Sequence, residues 1–464
     1  MAGGLSNDPA EVSRWWTAFN DPTLDSLIEL AVAANHDLRI AQARLRQSRA
    51  QRDAATAGFW PTLDTSASFT RLRISDNTSI ASLASGLTGG PTGGSTSGSV
   101  ATSSSSGVSG ASGSSGLPAG FPLESNLFQA GFDASWEIDV FGGKRRALEA
   151  TTADLDADLD ALHATRVSLL AEVARNYIEL RGLQQRLAVT RKTIDSQRET
   201  LDLTRGQFES DLASELDVSQ AEALLAGTQS QSPALEAAIR QTIHQLSVLL
   251  GQPPGALNEE LSPEASWPDG PPDVPMGLPS DLLRRRPDVR QAERQLASAT
   301  AQIGVQVAEL FPKFSLTGAI GFQSEDLGNW FTGGSQYWSF GPAVRWRIFD
   351  AGRIQAQIHA RMAMRDEALA RYEKTVLTSL QEVEDAIATY AAEQIRRDAL
   401  HRQVESSLRA LEIATSRHEQ GVGSFLEVLA SQRTLYQAQD QLAQSETNIR
   451  GDLITLYKAL GGGW

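Results

Sequence analysis

Residues 127–140 read Leu-Phe-Gln-Ala-Gly-Phe-Asp-Ala-Ser-Trp-Glu-Ile-Asp-Val, and this stretch decides the fold. From Phe128 to Val140 every second residue is apolar, whereas the residues between them, from Gln129 to Asp139, are polar or glycine. Such strict alternation predicts a β-strand with one apolar and one polar face. A strand that crosses a membrane needs roughly 9–11 residues of this kind, with aromatic residues near both interfaces. The stretch therefore predicts a membrane-spanning strand.

The chain contains three more stretches of this type. A shift of 210 residues superimposes the first stretch on a second copy, which predicts a strand over about 337–349. Two further strands follow Pro61 and Pro312, the second over about 313–323. Four strands cannot close a barrel, because the smallest bacterial barrels have about 8. The sequence thus predicts a barrel built from several chains, with a soluble two-layer β sandwich as the alternative.

The whole chain is an internal duplication. A shift of 251 residues places the motif Asp-x-Arg-x-Ala at 37–41 on the same motif at 288–292. Beyond residue 136 the shift becomes 210, so the first copy carries 251 − 210 = 41 extra residues. These lie in a segment rich in Ser, Gly, Thr and Ala, which predicts a long outer loop over about 72–126. Receptor binding by this loop is a less favoured hypothesis.

Very long helices follow the second strand of each copy. Residues 144–209 and 353–419 contain no proline and are rich in strong helix formers, so each predicts a helix about 100 Å long. Returning helices are predicted over 214–250 and 424–460. Pro233 is expected to bend or break the first of them.

A shorter helix precedes the first strand of each copy. One opens at Asp21, an N-cap followed by proline, and runs to about Gly58. The other runs from near Pro287 to about Leu310. A short helix and a returning helix together match the length of one long helix, which predicts an antiparallel helical rod at one end of the barrel. A soluble coiled-coil scaffold is the alternative for the helices alone.

Composition argues against several classes of function. The net charge of -15 argues against nucleic-acid binding, and the absence of Cys excludes thiolate nucleophiles and Cys metal sites. No apolar run is long enough for a transmembrane helix, and no signal peptide is visible. Neither a phosphate loop nor a nucleophile elbow occurs, so we expect no cofactor, no catalytic residue and no enzyme activity. The histidines lack metal-ligand spacing and are expected to be solvated: His36, His163, His244, His359, His401 and His418.

Three motifs resemble the outer membrane factor family, the TolC-like channel-tunnels. They are WWTAFNDPTLDSL at 15–27, GLPSDLLRRRPD at 277–288 and YKALGGGW at 457–464, the last being similar to NodT-type efflux lipoproteins. The resemblance implies a mixed α and β homotrimer with a 12-stranded outer-membrane barrel and a periplasmic α-barrel. It also implies structural repeats over 21–251 and 287–461, with an equatorial region formed by residues 1–20, 252–286 and 462–464.

The resemblance also implies a function. It predicts the passive outer membrane exit channel of a tripartite efflux system for small molecules in a Gram-negative bacterium, in contact with outer membrane lipid. Its expected partners are a periplasmic adaptor protein and an inner-membrane transporter, without nucleic acid. Type I protein secretion and a non-conducting envelope protein with a coiled-coil stalk remain alternatives, although the polar strand faces favour a water-filled channel. Members of this branch usually begin with a lipidated Cys, which this sequence lacks.

The turns between the long and the returning helices are the predicted adaptor-docking tips. Gly206 and Ser214 mark the first tip, and Gly421, Gly423 and Ser424 mark the second. Glycines there would allow close approach of a partner backbone. They fit simple helix termination equally well.

A gate is predicted beside the second tip. Leu426, Ala430 and Arg433 share one helical face, which by resemblance lines the closed end of the channel. Leu426 is the predicted constriction, and Ala430 stands where the family often has Asp. Glu427 either joins the gate or forms a capping box with Ser424 at the start of its own helix, and the capping box is favoured. The acids expected to hold Arg433 are Asp211, Glu215 and Asp217.

Overall fold

The computed structural model describes residues 14–73, 124–263 and 285–464. Most of the predicted outer loop and most of the motif at 277–288 lie outside the described residues. The chain divides into a helical unit (Met1–Thr56, Gly142–Glu309 and Ala351–Trp464) and a strand unit (Ala57–Phe141 and Leu310–Asp350). The predicted mixture of long helices and antiparallel strands is confirmed.

The strand unit is one antiparallel sheet in the order β1-β2-β3-β4. Its strands are β1 (Thr62–Arg73), β2 (Glu124–Ile138), β3 (Lys313–Ser324) and β4 (Gln336–Arg345). Among the described residues, β1 pairs only with β2 and β4 pairs only with β3. The sheet therefore has two edges.

Three strand ends differ from the prediction. β2 ends at Ile138 instead of continuing to Val140. β4 ends at Arg345, which pairs with Lys313, instead of continuing to residue 349. The next position on the partner strand is Pro312, which has no N–H to donate to the ladder. β2 begins earlier than predicted because Glu124 pairs with Arg73 of β1, and the Arg71 guanidinium lies 2.7 Å from the Glu124 carboxylate. The predicted loop is correspondingly shorter at both ends.

The helical unit contains the two long helices. Its described helices are α1 (Pro22–Ala34), α2 (His36–Ala57), α3 (Gly143–Glu209), α4 (Glu215–Gln229), α5 (Ser232–Leu249), α6 (Asn258–Leu261), α7 (Pro287–Ala308), α8 (Arg353–Glu419) and α9 (Phe425–Ala459). α3 and α8 have 67 residues each, as predicted from their composition. Each follows a glycine with left-handed backbone, Gly142 (φ 80°) and Gly352 (φ 84°), where a side chain would be strained. The predicted break at Pro233 is confirmed, since α4 and α5 are separate helices.

The single helix predicted from Asp21 to Gly58 is wrong. The Asp21 carboxylate caps α1 as expected, but the helix stops at Asn35 and α2 begins at the next residue. The Asn35 side chain accepts a hydrogen bond from the Leu38 N–H at 3.0 Å, as an N-cap does. It also donates to the Leu249 carbonyl at 2.8 Å, which satisfies the C-terminal end of α5.

The second copy builds the same joint with a different side chain. Arg286 corresponds to Asn35 under the shift of 251, and it donates to the Ala459 carbonyl at the end of α9 at 2.9 Å. Arg286 also pairs with Asp288 at 2.7 Å and with Glu382 at 2.6 Å. Burial alone favours the neutral form of Asp288, but hydrogen bonds and charge from Arg286 prevail and hold the pKa of Asp288 below 3.8.

The main core of the helical unit surrounds the N-terminal aromatic residues. The Trp15 ring stacks on Tyr457 with ring centroids 5.4 Å apart. The Tyr177 hydroxyl donates to the Asp21 carboxylate at 2.5 Å, and burial together with this bond raises the pKa of Tyr177 to about 12. Asp21 thus caps α1 and anchors it to α3.

The two long helices differ sharply in burial. In α3, 22 residues are buried, but only 8 are buried in α8. The exposed residues Leu377, Ile395 and Ile413 follow one another at intervals of 18, which is five helical turns, so they form one line along α8. No other described residue covers this apolar line.

Candidate functional site

The sheet has two chemically different faces. One face carries exposed aromatic and aliphatic side chains: Phe69, Phe132, Ile320, Trp338 and Phe340. The register places polar residues on the opposite face, including Gln129, Asp133, Thr317 and Ser339. Apolar side chains exposed in such number fit lipid, and the polar face fits water.

Tryptophan side chains donate hydrogen bonds to backbone carbonyls at the same end of the sheet in both copies. The Trp136 indole N–H donates to the Phe59 carbonyl at 2.8 Å, and the Trp346 indole donates to the Leu310 carbonyl at 3.1 Å. An indole with an apolar body and a polar edge suits the boundary between lipid and water.

The tips are the five-residue turns 210–214 and 420–424, and they share one backbone design. Asp211 (φ 56°) and Gly421 (φ 71°) are both left-handed. The Leu212 N–H donates to the Gln207 carbonyl at 2.8 Å, and the Val422 N–H donates to the Arg417 carbonyl at 3.0 Å. This is the Schellman motif that ends many helices.

Each tip presents an apolar side chain that the sequence analysis missed. Leu212 is 80% exposed and Val422 is 68% exposed. The Schellman motif usually packs this side chain back against its own helix, whereas both are left uncovered among the described residues. The signal was present in the sequence, because the two residues correspond under the shift of 210.

The predicted tip residues have separate roles. Gly206 lies in the last turn of α3 and not in the turn itself. Ser214 and Asp217 form a reciprocal capping box at the start of α4. A Cβ built on Gly423 would lie 3.0 Å from the Arg417 Cβ, so this glycine lets the turn pack against the end of α8.

The predicted gate residues share one exposed face of α9. Leu426, Ala430 and Arg433 are all exposed, as their spacing indicated. Arg433 has no ion pair within the described residues, and Asp217 is already engaged with Ser214. The preferred cap by Glu427 is wrong, since Ser424 accepts from the Leu426 N–H at 3.2 Å and no capping box forms there.

Two histidines depart from the expectation of solvated surface positions. His418 is partly buried, with its ring centroid 5.3 Å from that of Phe425 and its Nδ1 3.3 Å from the Gly423 carbonyl oxygen. The half-buried His163 ring stacks on Trp464 with centroids 4.6 Å apart, and the Arg290 guanidinium lies 5.2 Å from the Trp464 ring. Burial lowers the pKa of His163 and raises that of the neighbouring Asp160 carboxyl. Within the described ranges, no group of three or more His, Asp or Glu is arranged to hold a metal ion. No described helix has the length and apolarity that a bilayer-crossing helix requires.

Comparison with known proteins identifies the family. The profile of the outer membrane efflux protein family matches residues 27–252 and 278–462. The chain belongs to this family. Nodulation protein T of Rhizobium leguminosarum bv. trifolii is 30% identical to this efflux protein over 462 residues, covering 100% of the chain and 90% of the relative. The solvent efflux pump outer membrane protein SrpC of Pseudomonas putida is 33% identical over 446 residues, covering 96% and 86%.

Solved structures have the same fold. The outer-membrane channel OprN superimposes with a TM-score of 0.84 at 34% identity, covering 97% of this chain and 93% of OprN. VceC from Vibrio cholerae has a TM-score of 0.80 at 24% identity over 97% and 99% of the two chains, which shows the fold alone. This efflux protein is therefore an exit channel of an efflux system in the outer membrane of a Gram-negative bacterium. Its family is one of channels and not of enzymes.

Proposed function

We propose that three copies of this efflux protein close one 12-stranded barrel and form the passive exit duct of a tripartite pump. The observation that carries the proposal is the open four-stranded sheet, with two edges, an exposed apolar face and a polar face. Closure would pair the β1 edge of one copy with the β4 edge of the next. It would leave no edge exposed in lipid, where unpaired backbone groups are very costly.

The helical unit supports association of the same kind. The apolar line of Leu377, Ile395 and Ile413 along α8 is exposed in the single chain. A neighbouring copy in a closed ring would cover it and remove this surface from water.

Docking of a periplasmic adaptor at the two tips completes the pump. Leu212 and Val422 give each tip one exposed apolar anchor on a rigid, hydrogen-bonded turn. A partner hairpin that covers such an anchor gains the free energy of burying it and avoids the entropic cost of ordering a loop. Energy for transport comes from an inner-membrane transporter, since the channel itself is passive. The exported compound is a small molecule, in line with relatives named for solvent and pyoverdine export.

The face of Leu426, Ala430 and Arg433 forms the gate. Three copies of Leu426 around an axis would give an apolar constriction that opposes ions by dewetting. With Asp217 engaged in its capping box, Asp211 and Glu215 of a first-copy tip are the remaining acids for Arg433.

Complementation tests the proposal. The gene would be expressed with its neighbouring adaptor and transporter genes in a strain that lacks its own outer membrane efflux channels, and drug and solvent tolerance would be measured. We expect tolerance to return only when all three components are present. Export of a protein substrate without tolerance would favour type I secretion. If neither the wild-type protein nor its tip variants conduct ions in planar bilayers, a structural envelope protein would be favoured.

A further inference from the structure

The interior of the sheet contains one pair of buried positions. Among the four strands, the buried residues are Gly131 in β2 and Gly321 in β3. They are direct partners in the register, and Tyr337 of β4 is the partner of Gly321. All three positions belong to the polar face, which also carries Gln129. The burial of these glycines in an otherwise open sheet requires a side chain lying across them.

That side chain is Tyr337. A Cβ built on Gly321 would lie 2.9 Å from the Tyr337 Cε1, and one built on Gly131 would lie 2.8 Å from the Tyr337 hydroxyl oxygen. Real Cβ atoms do not come this close, so the ring occupies part of the space that side chains would fill at both positions. The paired backbones occupy the rest, since the Ala130 carbonyl oxygen would lie still closer to the Gly321 Cβ than the ring does, and the Ile320 carbonyl oxygen would lie 2.8 Å from the Gly131 Cβ. The Gln129 amide donates to the Tyr337 hydroxyl at 3.1 Å and fixes its far end. The ring thus lies flat along the sheet, across β3 and onto β2.

Gly131 and Gly321 together form a slot under the Tyr337 ring, which we call the glycine slot. We infer that this glycine slot sets the bore of the outer barrel, because it holds Tyr337 against the wall and out of the lumen. The inference rests on the proposed function, which places the polar face in the water-filled lumen. A tyrosine at the same position without the slot would project into the channel. The slot spans β2 of the first copy and β3 of the second, and only the second copy supplies the tyrosine, because Leu127 corresponds to Tyr337 under the shift of 210. A trimer would therefore carry three slots.

The bore can be measured independently of the gate by adding thiol reagents outside the cell and testing which of them reach a cysteine in the lumen. The chain has no Cys, so a Ser135→Cys background provides a single reporter. Ser135 lies on the same polar face of β2, four residues beyond Gly131. Whole cells would be treated with maleimide reagents of increasing size, and the largest reagent that labels the reporter defines the size cut-off.

Gly131→Ala is expected to lower this cut-off, because the new Cβ displaces the ring from the wall. Gly341→Ala is the matched control, since Gly341 lies on the same face of β4 with nothing within 4 Å of its Cβ position. It should leave the cut-off unchanged. Adding Tyr337→Ala to Gly131→Ala should restore the original cut-off.

Tyr337→Ala alone tests the inference without crowding the backbone, should Gly131→Ala fail to assemble. It should lower the melting temperature of the assembled protein and leave the cut-off unchanged, because the ring already lies outside the lumen. A larger cut-off in Tyr337→Ala would overturn the inference, as would an unchanged cut-off in an assembled Gly131→Ala variant. If even the smallest reagent fails to label the reporter, the lumenal assignment of the polar face fails, and the proposed function with it.

Discussion

Single residues at the joints between helices show how the duplicated chain has diverged. Asn35 and Arg286 occupy corresponding positions, and each donates to the last carbonyls of a returning helix. Asn35 makes a neutral joint from two hydrogen bonds. Arg286 reaches further and adds two carboxylates from α7 and α8. The same backbone requirement is thus met once by a cap and once by a buried arginine that pairs with two partly exposed carboxylates.

Removing the guanidinium should cost more than removing the amide. Arg286→Met leaves the Ala459 carbonyl and two carboxylates without their partner. We expect a cost of about 3 kcal/mol, at the lower end for a broken buried ion pair, because the carboxylates of Asp288 and Glu382 are 40% and 51% exposed. Asn35→Ala removes neutral hydrogen bonds, which we expect to cost about 1–3 kcal/mol. Melting temperatures of the purified oligomers would be compared under one heating rate. A larger loss in Asn35→Ala would contradict this account.

The Arg286 network should also make stability depend on pH in the acid range. The pKa of Asp288 is lower in the folded protein than the ordinary 3.8. Its contribution is therefore complete above the unfolded value and is lost as the pH falls through the folded value. The difference in melting temperature between wild type and Arg286→Met should shrink on acidification from about pH 7 to about pH 3. A constant difference across this range would argue against the ion pair as its source.

The gate prediction also belongs to single residues. Glu427 makes no cap, so Glu427→Gln removes charge without disturbing the start of α9. Leu426→Ala removes the apolar constriction, and we expect it to raise single-channel conductance in planar bilayers more than Glu427→Gln does. If Glu427→Gln opens the channel and Leu426→Ala leaves it closed, charge and not dewetting holds the gate.

At the scale of elements, the two turns at the tips carry the docking prediction. Leu212→Asn and Val422→Asn together should abolish drug tolerance while changing stability by less than about 0.5 kcal/mol, because both side chains are exposed. Leu203→Asn is the control, since Leu203 is an exposed leucine of α3 away from the turn. A bulky residue at Gly423 is a poorer test because it would clash with the end of α8. Full tolerance in the double variant would exclude docking through these anchors.

The elements also show what a sequence can and cannot predict. The strands and long helices were predictable because period-two alternation and uninterrupted helix formers are local signals. The end of β4 depends on a proline that immediately precedes the neighbouring strand, and the break at Asn35 depends on a carbonyl more than 200 residues away. The slot under Tyr337 requires the register of three strands. Such features arise from pairing and are not encoded in any single segment.

At the scale of the whole molecule, association is the central prediction. Native mass spectrometry of the detergent-solubilised protein should show a trimer. Ile395→Asp would place a carboxylate in the apolar line of α8 and should lower the trimer fraction, because burying an unpaired charge is costly. Leu203→Asp, also on a long helix and exposed, is the control for helix propensity and charge. A stable monomer in the wild type would refute closure of the barrel.

The matching joints of the two copies bear on the symmetry of the proposed ring. Each copy holds its own strand pair, left-handed glycine, long helix, Schellman turn and capped return. In the proposed trimer each copy would supply one-sixth of the ring, so two kinds of contact would alternate around it. The two copies need not match at every position. Arg286 and Tyr337 stand in the second copy, where the first has Asn35 and Leu127, so their contacts would recur three times around the ring and not six.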